Sequence, residues 1–392
     1  MRALACTLVA CAAVSASSLP ARAELDRAGF DALTSAFQDR LDSLGRQDDA
    51  PPGMLAAFAL PDGRVGAAAT GWADREAEAP MTLDTRSMSG SIGKTFVAAV
   101  TLSLVRERIL ELDAKIETWV GDEDWFPRVP NGGDITLRML LNHGSGIPDH
   151  VKSWRFRWAV LKKWITGDAR QGFTPLETLD FVLDREPLFP AGTGYAYTDT
   201  GYILLGLIIE RASGRTYYDL LQARILDPLQ LERTISSNRL RIPELATGYF
   251  QPIPHLPPIR TLRDGAFRFN PASEWTGGGL ATNPRDLVRW AKALYEGRAL
   301  RGPYLDALLS DPNRIDEESS YGLGVYIYDL PLGRAFGHGG WFPGYTARML
   351  YFPAERIAVA IQCNSDRGVP IQEFSIALAE VVIEALGDGA GR

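Results

Sequence analysis

Segments with strand character lie at the two ends of this chain, and this placement restricts the possible folds more than any other feature. Near the N-terminus, apolar runs at 54–60 and 65–70 are separated by Pro61-Asp62-Gly63, which predicts a β-hairpin. Near the C-terminus, residues 322–328, 347–352 and 357–363 have the same character, and a closing helix is predicted over 371–386. We therefore expect both ends of the chain to share one antiparallel sheet.

The middle of the chain has apolar residues at helical spacing instead, with Pro- and Gly-rich connectors between the helices. Helices are predicted over 25–44, 91–108, 137–142, 153–164, 175–183, 202–212, 217–226 and 284–295. The predicted fold class is α+β, an antiparallel sheet flanked by helices with an inserted, mainly helical domain. Residues 24–85 and 300–392 would form the sheet domain and residues 86–299 the helical domain, with an active site in the cleft between them.

Charge and histidine usage exclude several classes of function. Lys plus Arg number 41 against 48 for Asp plus Glu, a net charge of −7, so neither nucleic acid nor anionic lipid has a general electrostatic reason to bind. The 4 histidines include no pair at a metal-ligand spacing such as HExxH. We expect a small-molecule or peptide substrate, no metal, no cofactor and no nucleic-acid partner. The oligomeric state stays open.

The N-terminal segment has the pattern of an export signal. Arg2 is followed by an uncharged run over 3–19, and Ala21-Arg22-Ala23 precedes Glu24, which predicts a signal peptide over 1–23 and a periplasmic or secreted protein. No later run reaches the ~18 apolar residues of a membrane span. Lipoprotein processing at Cys11 is the disfavoured alternative. Cleavage after Ala23 would leave Cys363 as the sole cysteine, which we interpret as a small buried hydrophobe.

A first motif with chemical meaning is the sequence SIGK at 91–94, at the start of a predicted helix. Lys94 would lie one turn from Ser91 on the same helix face, and a helix N-terminus favours developing negative charge. A bare SxxK is more often a capping serine with a solvent-facing lysine, so a second motif is needed. Residues 93–95 also end like a phosphate-binding loop, but Met88 stands where that loop needs glycine.

Two further motifs follow in order: Tyr197-Thr198-Asp199, within a Gly-rich connector, and His338-Gly339-Gly340, between two predicted strands. The series SxxK, Tyr-x-Asn or a relative, and His-x-Gly resembles that of penicillin-binding-protein and class C β-lactamase-like serine hydrolases. The stretch TLRMLLNHGSG at 136–146 is similar to a sequence segment of the same family, as are residues 202–206, 225–229 and 277–289. The resemblance thus extends over most of the chain.

This resemblance implies a β-lactamase/transpeptidase-like fold and an acyl-enzyme mechanism. Ser91 would attack a carbonyl carbon, and Tyr197 would pass the proton to the leaving group. Whether Lys94 is the base or a charged partner of Tyr197 stays open. The oxyanion would be held by the N–H groups of Ser91 and Trp341. The resemblance assigns substrate binding to four further positions: Asp199, His338, Gly340 and Trp341.

Two departures from the family pattern bear on the substrate. His338 replaces the lysine of the Lys-Thr-Gly motif of class C β-lactamases. The resulting His-x-Gly form is similar to that of exported D-peptidases and disfavours antibiotic hydrolysis as the main activity. Asp199 replaces asparagine, and an ionised carboxylate cannot donate a hydrogen bond to an amide carbonyl. We predict an exported serine hydrolase for an amide or ester, with a D-amino-acid peptide as one candidate. The alternatives are a carboxylesterase or weak β-lactamase of this fold, and a catalytically silent cell-wall-binding protein.

Two other groups of residues have competing interpretations. His143 and Ser145 could form a second Ser/His pair, but their position in the 136–146 loop favours loop packing. Residues 153–164 combine four aromatic with four basic side chains, and core packing, a wall of the substrate cleft and a surface-binding role all stay open. These are Trp154, Phe156, Trp158 and Trp164, with Arg155, Arg157, Lys162 and Lys163.

Overall fold

The structure, a computed structural model, describes residues 25–253 and 256–388. The predicted signal peptide and Cys11 lie outside these residues. The helices are α1 (Arg27–Gly45), α2 (Gly93–Arg106), α3 (Glu117–Val120), α4 (Leu137–Leu141), α5 (Trp154–Thr166), α6 (Pro175–Asp180), α7 (Asp199–Ser213), α8 (Tyr217–Leu221), α9 (Asp227–Leu229), α10 (Pro284–Tyr295), α11 (Pro303–Leu309) and α12 (Ile371–Asp388). None of these helices, within the described residues, has the length and hydropathy needed to cross a bilayer.

The strands form one large sheet and several small ones. They are β1 (Gly53–Ala59), β2 (Val65–Asp74), β3 (Ala79–Pro80), β4 (Ser87–Met88), β5 (Ile235–Ser236), β6 (Tyr249–Phe250), β7 (Ile259–Arg260), β8 (Leu262–Arg263), β9 (Ala266–Phe267), β10 (Leu280–Thr282), β11 (Asn313–Arg314), β12 (Ser319–Tyr321), β13 (Tyr326–Leu330), β14 (Gly333–Phe342), β15 (Tyr345–Phe352) and β16 (Ile357–Cys363). The large sheet has the order β11-β12-β13-β14-β15-β16-β1-β2-β3.

The two ends of the chain meet in this nine-stranded sheet. Strand β1 pairs antiparallel with β16, with Met54 opposite Cys363 and Ala59 opposite Ala358. All other pairings in the sheet are antiparallel as well. The predicted α+β class is therefore confirmed. The central region also carries a small sheet of order β4-β10-β5, which the helical periodicity did not indicate.

The central strands β1, β15 and β16 are buried along their whole length and largely apolar, because both faces of the sheet are covered. In β16, Ile357, Val359 and Ile361 belong to the core shared with α1 and α12, whereas Ala358 and Ala360 belong to the core on the other face. Side chains alternate between faces along a strand, so the large residues pack under the terminal helices. The alanines give α10 room to lie against the opposite face.

One predicted strand is wrong. Residues 322–328 are not continuous, because β12 ends at Tyr321 and β13 begins at Tyr326. Gly324 has φ +77°, in the left-handed region that favours glycine, and a Cβ there would come within 2.8 Å of Ala98. The glycine makes a tight turn between two strands, and this turn rests on α2.

Candidate active site

Ser91 lies in a short 3₁₀ turn, Gly90–Ile92, that leads directly into α2. Gly90 has φ +50°, and a Cβ there would come 2.5 Å from the backbone nitrogen of Trp341. A Cβ on Gly340 would overlap the carbonyl oxygen of Ser89. These two glycines let strand β14 pack directly against the turn that carries Ser91. The predicted backbone donor at Trp341 therefore lies next to the predicted nucleophile.

Lys94 is fully buried in the first turn of α2, behind Ser91. Its Nζ atom donates to Ser91 Oγ at 2.9 Å, to Asp199 Oδ1 at 2.5 Å and to the carbonyl oxygen of Gly277 at 2.5 Å. An ammonium has three hydrogens, so three acceptors satisfy it. A neutral amine in the same place could keep the bonds to Asp199 and Gly277 and accept the Ser91 proton. The geometry fits both roles.

Asp199 is the first residue of α7, and its side chain is partly exposed to the cavity. Burial would raise the pKa of this carboxyl, but the charge and hydrogen bond of Lys94 hold it below its usual range. Asp199 is therefore ionised and accepts hydrogen bonds without donating any. The donor that asparagine would supply at this position is absent from this side chain.

Tyr197 lies on the other side of Lys94, whose Nζ atom is 5.1 Å from the centre of the phenol ring. The buried hydroxyl makes no hydrogen bond to any residue that the structure describes. Burial, and then the charge of Asp199, raise the pKa of Tyr197 well above its ordinary value, although the neighbouring Ser91 hydroxyl acts in the opposite direction. Tyr197 is thus a protonated phenol with its hydrogen free to be donated.

His338 is buried in β14 and is neutral. Burial, followed by the charge of Lys94, lowers the pKa of His338 to about 3. Its Nδ1–H donates to the Gly339 carbonyl at 2.6 Å, so Nε2 accepts from the Tyr321 hydroxyl at 2.9 Å. The imidazole holds Tyr321, whose ring lies edge-on to that of Tyr197 at 6.1 Å. The sequence patterns did not single out Tyr321.

A cavity of about 300 Å³ opens in front of Ser91. Most of its wall is apolar, and aromatic rings from distant segments contribute much of it: Phe156, Trp164, Phe173, Phe250, Phe269, Trp341 and Phe342. Ser91, Asp199 and Glu274 supply polar groups at the same cavity. Such a space accommodates a small ligand with one large apolar group and a polar or charged group near the reacting atoms.

Glu274 is a cavity residue that the sequence patterns did not identify. Its Oε2 atom is buried and has no hydrogen-bond partner within the described part of the chain. Burial raises the pKa of Glu274 to about 8, and although Lys94 acts against this shift, Asp199 adds to it. The sequence feature that could have indicated Glu274 is its position three residues before Gly277, whose carbonyl oxygen accepts from Lys94.

The alternative Ser/His pair has a packing role. His143 Nδ1 accepts from the backbone N–H of Thr198, and its ring lies 4.2 Å from that of Tyr197. Ser145 Oγ accepts from the backbone N–H of Ile147. His143 therefore supports the segment that carries Tyr197. Cys363 is fully buried, and this burial raises the pKa of its thiol, consistent with a small hydrophobe.

Comparison with known proteins shows the family of this chain. The sequence profile described as "Beta-lactamase" matches residues 33–380. The chain belongs to the Beta-lactamase family. Penicillin-binding protein 4* from Bacillus subtilis (strain 168) is 27% identical over 326 residues, which cover 80% of this chain and 68% of that protein. A D-aminopeptidase from Brucella anthropi is 27% identical over 352 residues, which cover 88% of this chain and 62% of that protein.

Similarity to solved structures agrees with this family assignment. The D-amino acid amidase from Ochrobactrum anthropi SV3, in complex with D-phenylalanine, superposes with a TM-score of 0.75 at 26% identity, covering 90% of this chain and 99% of that one. The predicted relation to penicillin-binding proteins and class C β-lactamase-like enzymes is confirmed, as is the predicted class of serine hydrolase. The chain spans only about two thirds of the length of the two curated relatives.

Proposed function

We propose that this member of the Beta-lactamase family hydrolyses amides of apolar D-amino acids that carry a free amino group, through an acyl-enzyme on Ser91. The observation that carries the proposal is the hydrogen-bonded group of Ser91, Lys94 and Asp199 at the head of an aromatic cavity. The names of the relatives support the D-amino-acid part, because a D-aminopeptidase and a D-amino acid amidase are among them.

In the first step, Ser91 Oγ bonds to the amide carbon and loses its proton to Lys94, which acts as a neutral amine. The backbone N–H groups of Ser91 and Trp341 would stabilise the oxyanion. Tyr197 then gives its proton to the leaving nitrogen as the C–N bond breaks, which leaves an acyl-enzyme. The Lys94 ammonium then returns a proton to the Tyr197 phenolate. In the second step water attacks the acyl carbon and gives its proton to Lys94, which passes it to Ser91 Oγ as the acyl–oxygen bond breaks.

The charges at the cavity support a substrate with an amino group. Asp199 is ionised and lies beside Ser91, and Glu274 adds a second, unpartnered carboxyl to the same wall. A substrate ammonium would pair with the ionised Asp199 and donate a hydrogen bond to the protonated Glu274, whereas a carboxylate on the substrate would be repelled by Asp199. The aromatic rings would accept the side chain of the amino acid.

A carboxylesterase is the second candidate, and the ionised state of Asp199 favours it. Because Asp199 cannot donate to an acylamide carbonyl, N-acylated peptides and β-lactams lose a contact that a simple ester does not need. An ester also requires less protonation of its leaving group than an amide.

One panel of substrates tests these assignments. D-phenylalanine amide, its L-isomer, a D-alanyl peptide, a p-nitrophenyl ester and a chromogenic cephalosporin would be compared for the wild type and Ser91→Ala. We expect preference for the D-amide and a loss of several orders of magnitude in Ser91→Ala. Ser145→Ala, the matched control, should retain activity. Fluorophosphonate labelling at a serine other than Ser91 would contradict the mechanism.

We also propose that the protein is exported, with residues 1–23 removed. The support is the sequence pattern at the N-terminus, with an uncharged run followed by Ala21-Arg22-Ala23. The intact mass of protein recovered from the cell envelope should correspond to a chain that begins at Glu24. A diacylglyceryl group on Cys11 would instead establish the lipoprotein route.

A further inference from the structure

Helix α5 carries a row of large apolar side chains on its outer surface. Trp154, Trp158, Leu161 and Ile165 are 72%, 60%, 48% and 74% exposed. Their spacing of four, three and four residues places them within a sector of about 60° on a helix of 3.6 residues per turn. We call these four residues the outer stripe. Such an ordered row differs from the scattered apolar residues of an ordinary surface.

The residues around the outer stripe are basic. Lys162 and Arg155 lie on one side of it and Arg157 on the other, and the whole helix contains no acidic residue. All three side chains are exposed. Within the described residues, Arg155 and Lys162 form no salt bridge, so their charge is not neutralised locally. This cationic helix stands out on a chain with a net charge of −7.

The opposite face of α5 belongs to the active site. Phe156, Val160, Lys163 and Trp164 line the cavity in front of Ser91. Lys163 Nζ lies 4.7 Å from the ring centre of Phe173, another residue of the cavity wall. The inward face therefore has its own partners, and packing inside this molecule does not explain the outer stripe.

We propose that α5 is an interfacial helix that binds the protein to the surface of a bilayer containing anionic phospholipid. Tryptophans beside Lys and Arg are typical of helices that lie in the headgroup region. At 13 residues, α5 is about 20 Å long, which is too short to cross the ~30 Å hydrocarbon core. It therefore lies along the membrane, with the cavity directly behind it.

Charge decides between a membrane and a second copy of this chain. Two copies joined through their outer stripes would bring together six cations, because Arg155, Arg157 and Lys162 flank the stripe in each copy and α5 contains no acid. Like charges at such a contact repel each other. An anionic bilayer instead supplies the complementary charge for the basic residues and an apolar layer for the stripe.

Vesicle flotation tests the proposal, using the chain from Glu24 onward so that the apolar leader cannot contribute. Vesicles of phosphatidylcholine alone would be compared with vesicles containing phosphatidylglycerol, at low and high salt. We expect binding only with the anionic lipid, weakened by salt. Trp154→Ala with Trp158→Ala should lower the partition coefficient roughly tenfold or more. Arg155→Gln with Lys162→Gln should lower it about fivefold for each charge removed.

Matched variants on other surfaces separate this effect from general changes. Trp72→Ala removes another exposed tryptophan, and Arg263→Gln with Arg301→Gln removes two exposed cations. These controls should bind vesicles like the wild type. Hydrolysis of a soluble ester should be the same in all of these variants, which verifies folding and tests the catalytic proposal separately.

Three results would overturn the membrane proposal. The first is wild-type binding that does not depend on anionic lipid, or no binding at all. The second is equal loss of binding in the stripe variants and the matched controls. The third is a dimer, seen by light scattering, that Trp154→Ala with Trp158→Ala dissociates, because this would assign the outer stripe to self-association.

Discussion

The polar groups beneath Ser91 and those beside it both place polar atoms out of contact with solvent but differ in their hydrogen bonds. Lys94 has an acceptor for each of its three hydrogens. The Tyr197 hydroxyl and Glu274 Oε2 have no partner among the described residues. A buried polar group without a partner costs about 1–3 kcal/mol. Lys94 is therefore already fully hydrogen-bonded within the protein, whereas Tyr197 and Glu274 are positions where a substrate or water supplies the missing partner.

Removing Lys94, whose three hydrogens all have acceptors, should have the largest effect. Lys94→Met is expected to lower kcat by roughly a thousandfold or more, as losses within a catalytic unit do. It should also destabilise the fold, because Asp199 would lose its buried partner. The double variant Lys94→Met with Asp199→Asn should recover thermal stability without recovering activity. Steady-state kinetics and thermal unfolding check this, and a single variant with normal kcat would contradict it.

Removing an unpartnered group should lower activity without lowering stability. Tyr197→Phe is expected to reduce kcat by about 10²–10⁴, the usual range for a lost proton-transfer group. Its unfolding temperature should rise or stay constant, because no hydrogen bond within the protein is lost. Tyr321→Phe is the matched control, since it loses the bond to His338 and should cost about 1 kcal/mol. Equal destabilisation by both variants would refute the distinction between them.

The sheet could be predicted because its information is local. The run at 54–60 is apolar throughout, the run at 357–363 is apolar except for Gln362, and Pro61-Asp62-Gly63 marks the hairpin. The break at 322–325 was missed, because Gly324 takes its φ of +77° in a turn pressed against α2. A positive φ at one glycine does not alter the apolar pattern of the residues around it.

The site could be predicted in part for the same reason. Ser91 and Lys94 are one helical turn apart, and Tyr197 has its own motif, so short patterns carry all three. Glu274 and Tyr321 have no such pattern. Glu274 reaches the cavity because the connector that carries it packs against Gly90. The contact is so close that a Cβ on Gly278, in the same connector, would lie 2.3 Å from the carbonyl oxygen of Gly90. Contacts of this kind depend on the assembled fold and leave no local spacing.

Removing the charge of Asp199 while keeping Lys94 should change which substrates the enzyme prefers. Asp199→Asn supplies an amide donor and removes the anion beside Lys94. We expect the amide-to-ester ratio of kcat/KM to rise roughly tenfold for N-acylated substrates, about the value of one hydrogen bond. The alkaline limb of the pH–rate profile should move to lower pH, because Asp199 contributes to the raised pKa of Tyr197.

Asp149→Asn is the control for this substitution. Burial, and then the charge of Asp199, raise the pKa of Asp149 to about 6, yet Asp149 is not among the described residues that line the cavity. Its loss should leave the amide-to-ester ratio unchanged. If Asp199→Asn also leaves both the ratio and the pH profile unchanged, Asp199 affects neither the substrate nor the Lys94–Tyr197 pair.

The last expected effect concerns the stability of the protein rather than its activity, and it appears as a dependence of stability on pH that Glu274 causes. With a folded-state pKa of about 8 against a model-peptide value of 4.5, the native protein keeps a proton that the unfolded chain releases between these values. Stability should therefore fall as pH rises from 4.5 to 8, by about 1.4 kcal/mol per pH unit at most. In Glu274→Gln this contribution disappears, so the variant should gain stability relative to wild type from pH 5 to pH 8. Parallel unfolding curves for the two proteins across this range would mean that Glu274 is ionised in the empty cavity and already paired there.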